Sequence, residues 1–348
     1  MLPCGTANET FGEDIAVIRT RLQWLLTIVG CVLLLTFPLF TSHYLTSLVN
    51  KLSITIIAVL GLQLVMGYCG LISFGQVAFM AVGAYSSAIL TNTLGWSFWI
   101  ALPLSGLIAG LVGLVGGAPS LRITGFYLAL ATLAIHQIVA WLMVHLPITG
   151  GVAGLHAPAP AIGNFAFNSE ERMFYIIVPV MLLMTYFAKN LTRHRIGRAF
   201  VAIRDNDVAA EVMGINLYFY KLLAFFIACF YAGIAGSLLA HWTMVVHPEQ
   251  FMVTNALYFV GMLIVGGLGS IAGVFFGTLF FSLLDEGVML ASPALAQVFP
   301  ALGTHPAAAL GVSAFGLVIT LFLIFEPKGL AQRWEIFKTS YRVYPFAY

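Results

Sequence analysis

Charge is what this sequence lacks most. Only 8% of its 348 residues are Asp, Glu, Lys or Arg, and 61% are hydrophobic. A soluble domain carries roughly 25% charged residues, so this chain cannot cover a water-facing surface. With a mean hydropathy of +0.99, its apolar residues must face lipid. The shortage is also local. No Asp, Glu, Lys or Arg occurs between Lys51 and Arg122, between Arg122 and Glu170, between Lys221 and Glu249, or between Glu286 and Glu326. Each gap holds one or more helices of about 20 residues. Runs such as LLTIVGCVLLLTF and FGLVITLFLIF lack the alternation of a membrane β-barrel, which makes the fold class an all-α polytopic membrane protein.

Other absences narrow the chemistry. The four cysteines, at 4, 31, 69 and 229, show no CxxC or paired spacing. Two of them lie inside apolar runs and read as small hydrophobes. The eight histidines form no HExxH or other metal-ligand spacing, so they read as core or interfacial residues and no metal site is expected. No Lys follows a Gly, which excludes the GK[ST] of a P-loop. Neither GxSxG nor a Ser-His-Asp arrangement is present, so no catalytic residue is assigned. A proton- or sodium-coupled carrier usually needs an acid inside the membrane. Asp285 and Glu286 fall late in a span and Glu249 falls in a loop. What remains is a carrier powered from outside its own chain, or a passive channel.

Hydropathy predicts ten crossings, at 22–41, 52–66, 74–93, 98–117, 124–145, 172–189, 221–243, 253–268, 271–291 and 308–325. Ten of the fifteen Lys and Arg fall in two blocks, Lys189–Lys221 and Lys328–Arg342. The positive-inside rule puts both blocks, and Arg19 and Arg21, on the cytoplasmic side. The expected division is a cytoplasmic segment 1–21, one transmembrane domain 22–327 and a cytoplasmic tail 328–348. Within the domain, 146–171 is an outer loop and 193–220 an inner one. The N-terminus is acidic before its two Arg, unlike a secretory signal, so the first helix is expected to be retained.

Two segments look broken. GYCGLISFGQVAFMAVGAY carries Gly67, Gly70, Gly75 and Gly83, and GMLIVGGLGSIAGVFFG carries six glycines, with Gly269, Gly273 and Gly277 at small-xxx-small spacing. Close helix packing explains them. So does a pair of half-helices whose freed backbone groups line a solute path, spanning or re-entrant. The first five and last four to five helices read as two related halves of opposite topology.

Seven of the charged residues sit in one island, Arg193–Asn216. Its first part, through Arg204, is basic and is expected to lie against the membrane face. In RDNDVAAEVMGIN, Asp205 or Asn206 is placed to N-cap a short helix, and Gly214 to end it in the left-handed conformation. Asp207 and Glu211 share one face, and Val208, Val212 and Ile215 another. Ala209 and Ala210 favour helix and keep its centre smooth.

GRAFVAIRDNDVAAEVMGIN resembles the EAA-type cytoplasmic loop of ABC importer permeases. GYCGLISFGQVAFMAVGAYSSAIL, LRITGFYLALATLA, GGLGSIAGVFFG and FEPKGL, in order across roughly residues 50–330, are similar to motifs of the branched-chain amino-acid ABC importer permeases, the high-affinity leucine/isoleucine/valine uptake type. The resemblance implies a type II importer-like permease in the bacterial inner membrane, with both termini cytoplasmic. It implies four kinds of partner. These are a second homologous permease chain (hetero- or homodimer), two cytoplasmic ATPase subunits, a periplasmic solute-binding protein and the lipid bilayer. Nucleic acid is not among them. No cofactor is expected on this chain, since ATP and Mg would sit on the partner subunits. Docking of the ATPases falls on Asp207, Val208, Ala209, Ala210, Glu211 and Gly214. The substrate pathway falls on Gln63, Gly67, Gly70, Ser73, Gly75, Gln76, Tyr85, Thr124 and Tyr127. The chain departs from the pattern at Gln76, where the family commonly has His, and at Asp207, where it has Glu. These departures leave the solute open between a branched-chain or other hydrophobic amino acid and another small organic solute such as an amide, urea, or an aromatic or dicarboxylic acid. A self-standing secondary carrier or channel, and a non-transporting scaffold, are the rivals from other classes.

Overall fold

A computed structural model describes residues 41–120, 125–163, 165–298, 306–326 and 328–343, with scattered positions from 25 to 40. Its helices are α1 (His43–Leu62), α2 (Gln76–Ala88), α3 (Phe98–Ser120), α4 (Phe126–His145), α5 (Glu170–Arg193), α6 (Arg195–Asp205), α7 (Asp207–Val212), α8 (Leu217–Thr243), α9 (Val253–Gly266), α10 (Ile271–Val298), α11 (Pro306–Phe325) and α12 (Gly329–Val343). Two of them continue as π-helix, α1 through Gln63–Tyr68 and α2 through Ile89–Thr93.

Among the described residues, seven helices are long and apolar enough to cross a membrane, or eight if α11 and α12, bent by 46°, count as one span. The expected span 22–41 falls mostly outside those residues. The expected span 74–93 is α2 with its π extension; it ends in the polar Thr91-Asn92-Thr93 and is largely buried among its neighbours.

The helices form two packed groups. In the larger group α8 is central and touches α1, α2 and α3, while α5 packs on α1. Glycine makes this closeness possible. A Cβ on Gly106, Gly110, Gly113 or Gly117 of α3 would run into Phe230, Phe226, Cys229 or Phe225 of α8, in that order. A Cβ on Gly83 of α2 would fall on the backbone of Gly233. Without a hydrophobic force between helices in lipid, such backbone approach is what holds them together. In the smaller group α9, α10 and α11 close around Val265, Phe281 and Phe315. There the predicted small face appears, with Gly273 and Gly277 of α10 against Gly266 and Met262 of α9.

At the end opposite the charge island, polar side chains tie the bundle. Asn50 of α1 donates to the carbonyl (3.0 Å) and carboxylate (3.1 Å) of Glu170, and Trp242 of α8 donates to the same carboxylate at 2.8 Å. The loop before α5 pairs with the loop after α8. Strand β1 (Leu155–His156) lies antiparallel to β4 (Val245–Val246), with Leu155 opposite Val246. Strands β2 (Ala161–Ile162) and β3 (Phe165–Ala166) form a separate hairpin. His241, fully buried, bonds the Pro158 carbonyl at 2.7 Å and Ser87 at 2.9 Å, and the buried His136 bonds the Phe251 carbonyl at 3.0 Å. Both are core histidines.

Gly83→Val is expected to wedge α2 from α8 and to cost about 1–3 kcal/mol, the usual range for overpacking. Gly287→Ala, at a position with nothing within 4 Å, is the control. Thermal unfolding in detergent reads both. Equal midpoints would rule out the α2–α8 contact.

Candidate functional site

The two broken segments meet. After α1 the π turn releases the backbone, which reverses at Gly70 with φ +75, and after α9 it bends at Gly267 and Gly269 with φ +115 and +80. Gln63, 1% exposed, donates from Nε2 to the carbonyls of Gly267 (3.2 Å) and Ser270 (3.0 Å). A Cβ on Gly67 would come within 2.7 Å of the Gly269 amide nitrogen. Arg204, near the end of α6, donates from Nη1 to the Gly67 carbonyl at 2.8 Å. Its stem covers Gly70, where a Cβ would lie 2.9 Å from Cγ. Gly329, in the FEPKGL stretch, packs on the same bend, since a Cβ there would lie 2.6 Å from the Gly267 nitrogen. Four motifs far apart in sequence therefore converge on one joint. Each carbonyl that a helix break frees is a buried acceptor, and leaving one unmatched costs about 1–3 kcal/mol.

The island forms two helices beside this joint. α6 buries Ala199, Phe200 and Ile203. Asn206 then caps α7, its Oδ1 accepting from the Ala209 amide at 3.0 Å. The helix stops at Gly214, φ +85. There the Ile215 amide bonds the Ala210 carbonyl (3.0 Å) and the Gly214 amide bonds the Glu211 carbonyl (2.9 Å), the paired bonds of a Schellman stop. Both predicted caps are present. The outward surface differs from the expectation. Ala210 faces inward, 4% exposed and within the hydrophobic core, because α7 needs a small side chain where it rests on the bundle. Asp207 pairs at 3.7 Å with Lys221, which is itself buried. The exposed surface is formed by Val208 (67%), Val212 (82%) and Met213 (82%), with Ala209, Glu211 and Gly214 also exposed. Val208 and Val212 lie one turn apart.

The other expected pathway residues divide. Ser73 and Gly75 set the start of α2, the Gly75 amide donating to the Ser73 hydroxyl at 3.3 Å. Gln76 ties α1 to α8 by donating to the carbonyls of Ala58 (2.8 Å) and Ala228 (3.1 Å). Tyr85 is buried beside Phe251. Tyr127 is 70% exposed and stands away from the joint. Thr124 lies outside the described residues. A cavity of about 420 Å³ opens instead between α1, α2, α8, α9 and α10, and none of these nine residues lines it. Gly70 lines a second cavity, of about 430 Å³, shared with Arg204, Asn206 and Asp207 on the island side. The contact of Arg204 with the joint and the pairing of Lys51 with Asp285 were not read from the sequence, which weighed Asp285 only as a coupling acid. Arg204 carried a signal, since it stands two residues before the α7 cap while two glycine breaks need a donor.

Residues 44–325 match the family model described as the branched-chain amino acid transport system permease component. The chain is 32% identical over 71% of its length to the high-affinity branched-chain amino acid transport system permease protein LivM of Escherichia coli, and 31% identical over 69% to LivM of Salmonella typhimurium. It spans 64% and 62% of the length of those two relatives. The ribose import permease protein RbsC of Escherichia coli is 23% identical over 76% of this chain and 84% of its own. No solved structure matches.

Gln63→Leu is expected to strand the Gly267 and Ser270 carbonyls and to lower the unfolding midpoint in detergent, by about 1–3 kcal/mol per stranded group. Tyr127→Ala, on an exposed surface, is expected to change little. The joint is not as described if the two variants unfold together.

Proposed function

The chain belongs to the branched-chain amino acid transport system permease family, and on that premise we propose that it forms half of the translocation pathway of an ATP-binding-cassette importer. In this reading a periplasmic binding protein delivers a branched-chain or other hydrophobic amino acid. A second homologous permease completes the pathway, and two ATPase chains in the cytoplasm hold ATP and Mg. The permease itself sits in the inner membrane with both termini cytoplasmic, and has ten helices in two inverted halves of the type II class. Clustering of Lys and Arg around the island and the C-terminal tail supports that orientation.

The observation that carries the reading is α7. It is a short helix capped at both ends, in the most charged part of a chain with no nucleotide motif, and its outer face is apolar and exposed. Val208, Ala209, Glu211, Val212, Met213 and Gly214 form the docking face in this proposal. Asp207 and Ala210 hold the helix in place from beneath. Motion of a docked ATPase would reach the pathway through Arg204, which joins the base of α7 to the Gly67 carbonyl. Transport then follows from ATP-driven closure of the partner chains, which swings α6 and α7 and with them the joint between the two breaks. The similarity to RbsC supports a second reading within the same class, the same machine carrying another small organic solute.

Val212→Glu and Met213→Glu place a charge on an exposed apolar face, where folding is little affected. We expect membrane insertion as in wild type and loss of most ATPase co-purification. Ala210→Leu is expected to act on stability instead. Normal ATPase stoichiometry with both Glu variants would refute the docking face. Uptake of leucine into vesicles by this chain alone, without ATPase chains, would refute the importer reading in favour of a self-standing carrier or channel.

A further inference from the structure

The cavity of about 420 Å³ falls within the roughly 300–1,000 Å³ range of small-molecule sites. Its chemistry is divided by helix. Lys51 and Thr55 of α1 are spaced i,i+4, and Ser282 and Asp285 of α10 are spaced i,i+3, so each pair shares one helix face. Lys51 Nζ stands 3.3 Å from Asp285 Oδ2. The wall from α2, α8 and α9 is mostly apolar, with Val77, Met80, Leu239, Phe259 and Met262, while Asn255 and Tyr258 of α9 and the neighbouring Gln250 add polar groups.

The charged pair is out of place for lipid. Lys51 lies roughly two turns inside its membrane span, and Asp285 lies inside the span Ile271–Leu290. Yet their side chains are 61% and 63% exposed. Charges at that depth face water or protein, not hydrocarbon. The polar face continues along α1 and α10 through the contact of Tyr44 with Glu286, and the 2.8 Å pair of His43 with Glu171 joins α1 to α5 beyond it. This side of the bundle therefore faces water or a protein partner and not hydrocarbon, and the cavity opens on it.

We propose that this cavity is a solute-binding station for a zwitterionic aliphatic amino acid, with Lys51 facing the carboxylate, Asp285 the ammonium group, and the α2–α8–α9 wall the side chain. The proposal rests on the importer reading above and gives that pathway a site. One positive and one negative group side by side match a molecule carrying one of each. They do not suit a net anion, and a polyol would leave both charges without a counter-charge. An ion pair this exposed contributes little to stability, so it opens readily and exchanges one charge contact for two. The apolar wall sets the direction in which the solute lies.

The test uses the assembled transporter, with second permease, ATPases and binding protein, in proteoliposomes. Lys51→Ala and Asp285→Ala are each expected to lower leucine uptake about tenfold, the loss of roughly one charge contact. The double swap Lys51→Asp with Asp285→Lys keeps the ion pair and reverses it. It is expected to assemble with the partner chains as wild type does and to leave uptake low, because the apolar wall still fixes the solute's direction. Restored uptake in the swap would make the pair a structural tie and overturn the proposal. Ser282→Cys gives a second readout independent of those variants. A water-soluble methanethiosulfonate reagent should label Cys at 282 more slowly in saturating leucine and at an unchanged rate in ribose. The wild-type chain, with Cys4, Cys31, Cys69 and Cys229, gives the background. Labelling indifferent to leucine, or slowed equally by ribose, would overturn the proposal. Wild-type uptake without ATPase chains would instead sink the importer reading while leaving the leucine protection of 282 standing, so the two failures are told apart.

Discussion

A lipid-embedded backbone must satisfy its own polar groups, and this chain breaks two of its helices in the same place. The contact of Gln63 with the carbonyls of Gly267 and Ser270 is what makes both breaks tolerable. The first break supplies the donor for the second, and Arg204 of the island supplies the donor for the Gly67 carbonyl of the first, so neither break stands alone. The glycines are part of the same constraint, because Gly67 and Gly269 must touch for the Gln63 amide to reach. The joint fastens the larger helix group to the smaller one at the island end, and α1 packs along α9 and α10 beyond it. The island has a fixed place to attach through Arg204.

Charge is scarce, and several of the charges that remain have a definite partner. Asp207 holds Lys221, Asp205 holds Arg204 at 3.0 Å, and Lys51 holds Asp285. Pairing near α7 fixes the helix in place and leaves its other face free of charge except for Glu211. The apolar residues Val208, Val212 and Met213 are then exposed without a counterpart among the described residues. A capped helix offering such a face is ordered before any partner arrives, so docking on it pays little ordering entropy.

Much of this was legible in the sequence where one local rule decides the outcome. Asn206 and Gly214 bracket α7 because capping depends on residue type alone, and Gly273 packs on Gly266 because small residues at helical spacing admit little else. The orientation of Ala210 was not legible, since which side of a six-residue helix meets the bundle is set by tertiary packing and not by the helix's own sequence. Glycine breaks were visible, but their role divided between packing and solute path. The structure packs Gln63, Gly67 and Gln76 into solid contacts and opens its cavity at residues whose only sequence signal was charge. Lys51 and Asp285 are 234 positions apart, and nothing in their local context announces that they meet.

The position of α8 has a consequence in time. It is the centre of the larger helix group, yet it is made after α1, α2, α3 and α5 have already left the ribosome. Those four helices must therefore wait in the membrane around an unfilled slot, with the glycine row of α3 facing it. The strand pair β1–β4 closes only when Val245 and Val246 arrive, roughly ninety residues after Leu155 and some seconds later at ordinary synthesis rates. During that interval the larger helix group lacks its centre, which the arrival of α8 supplies.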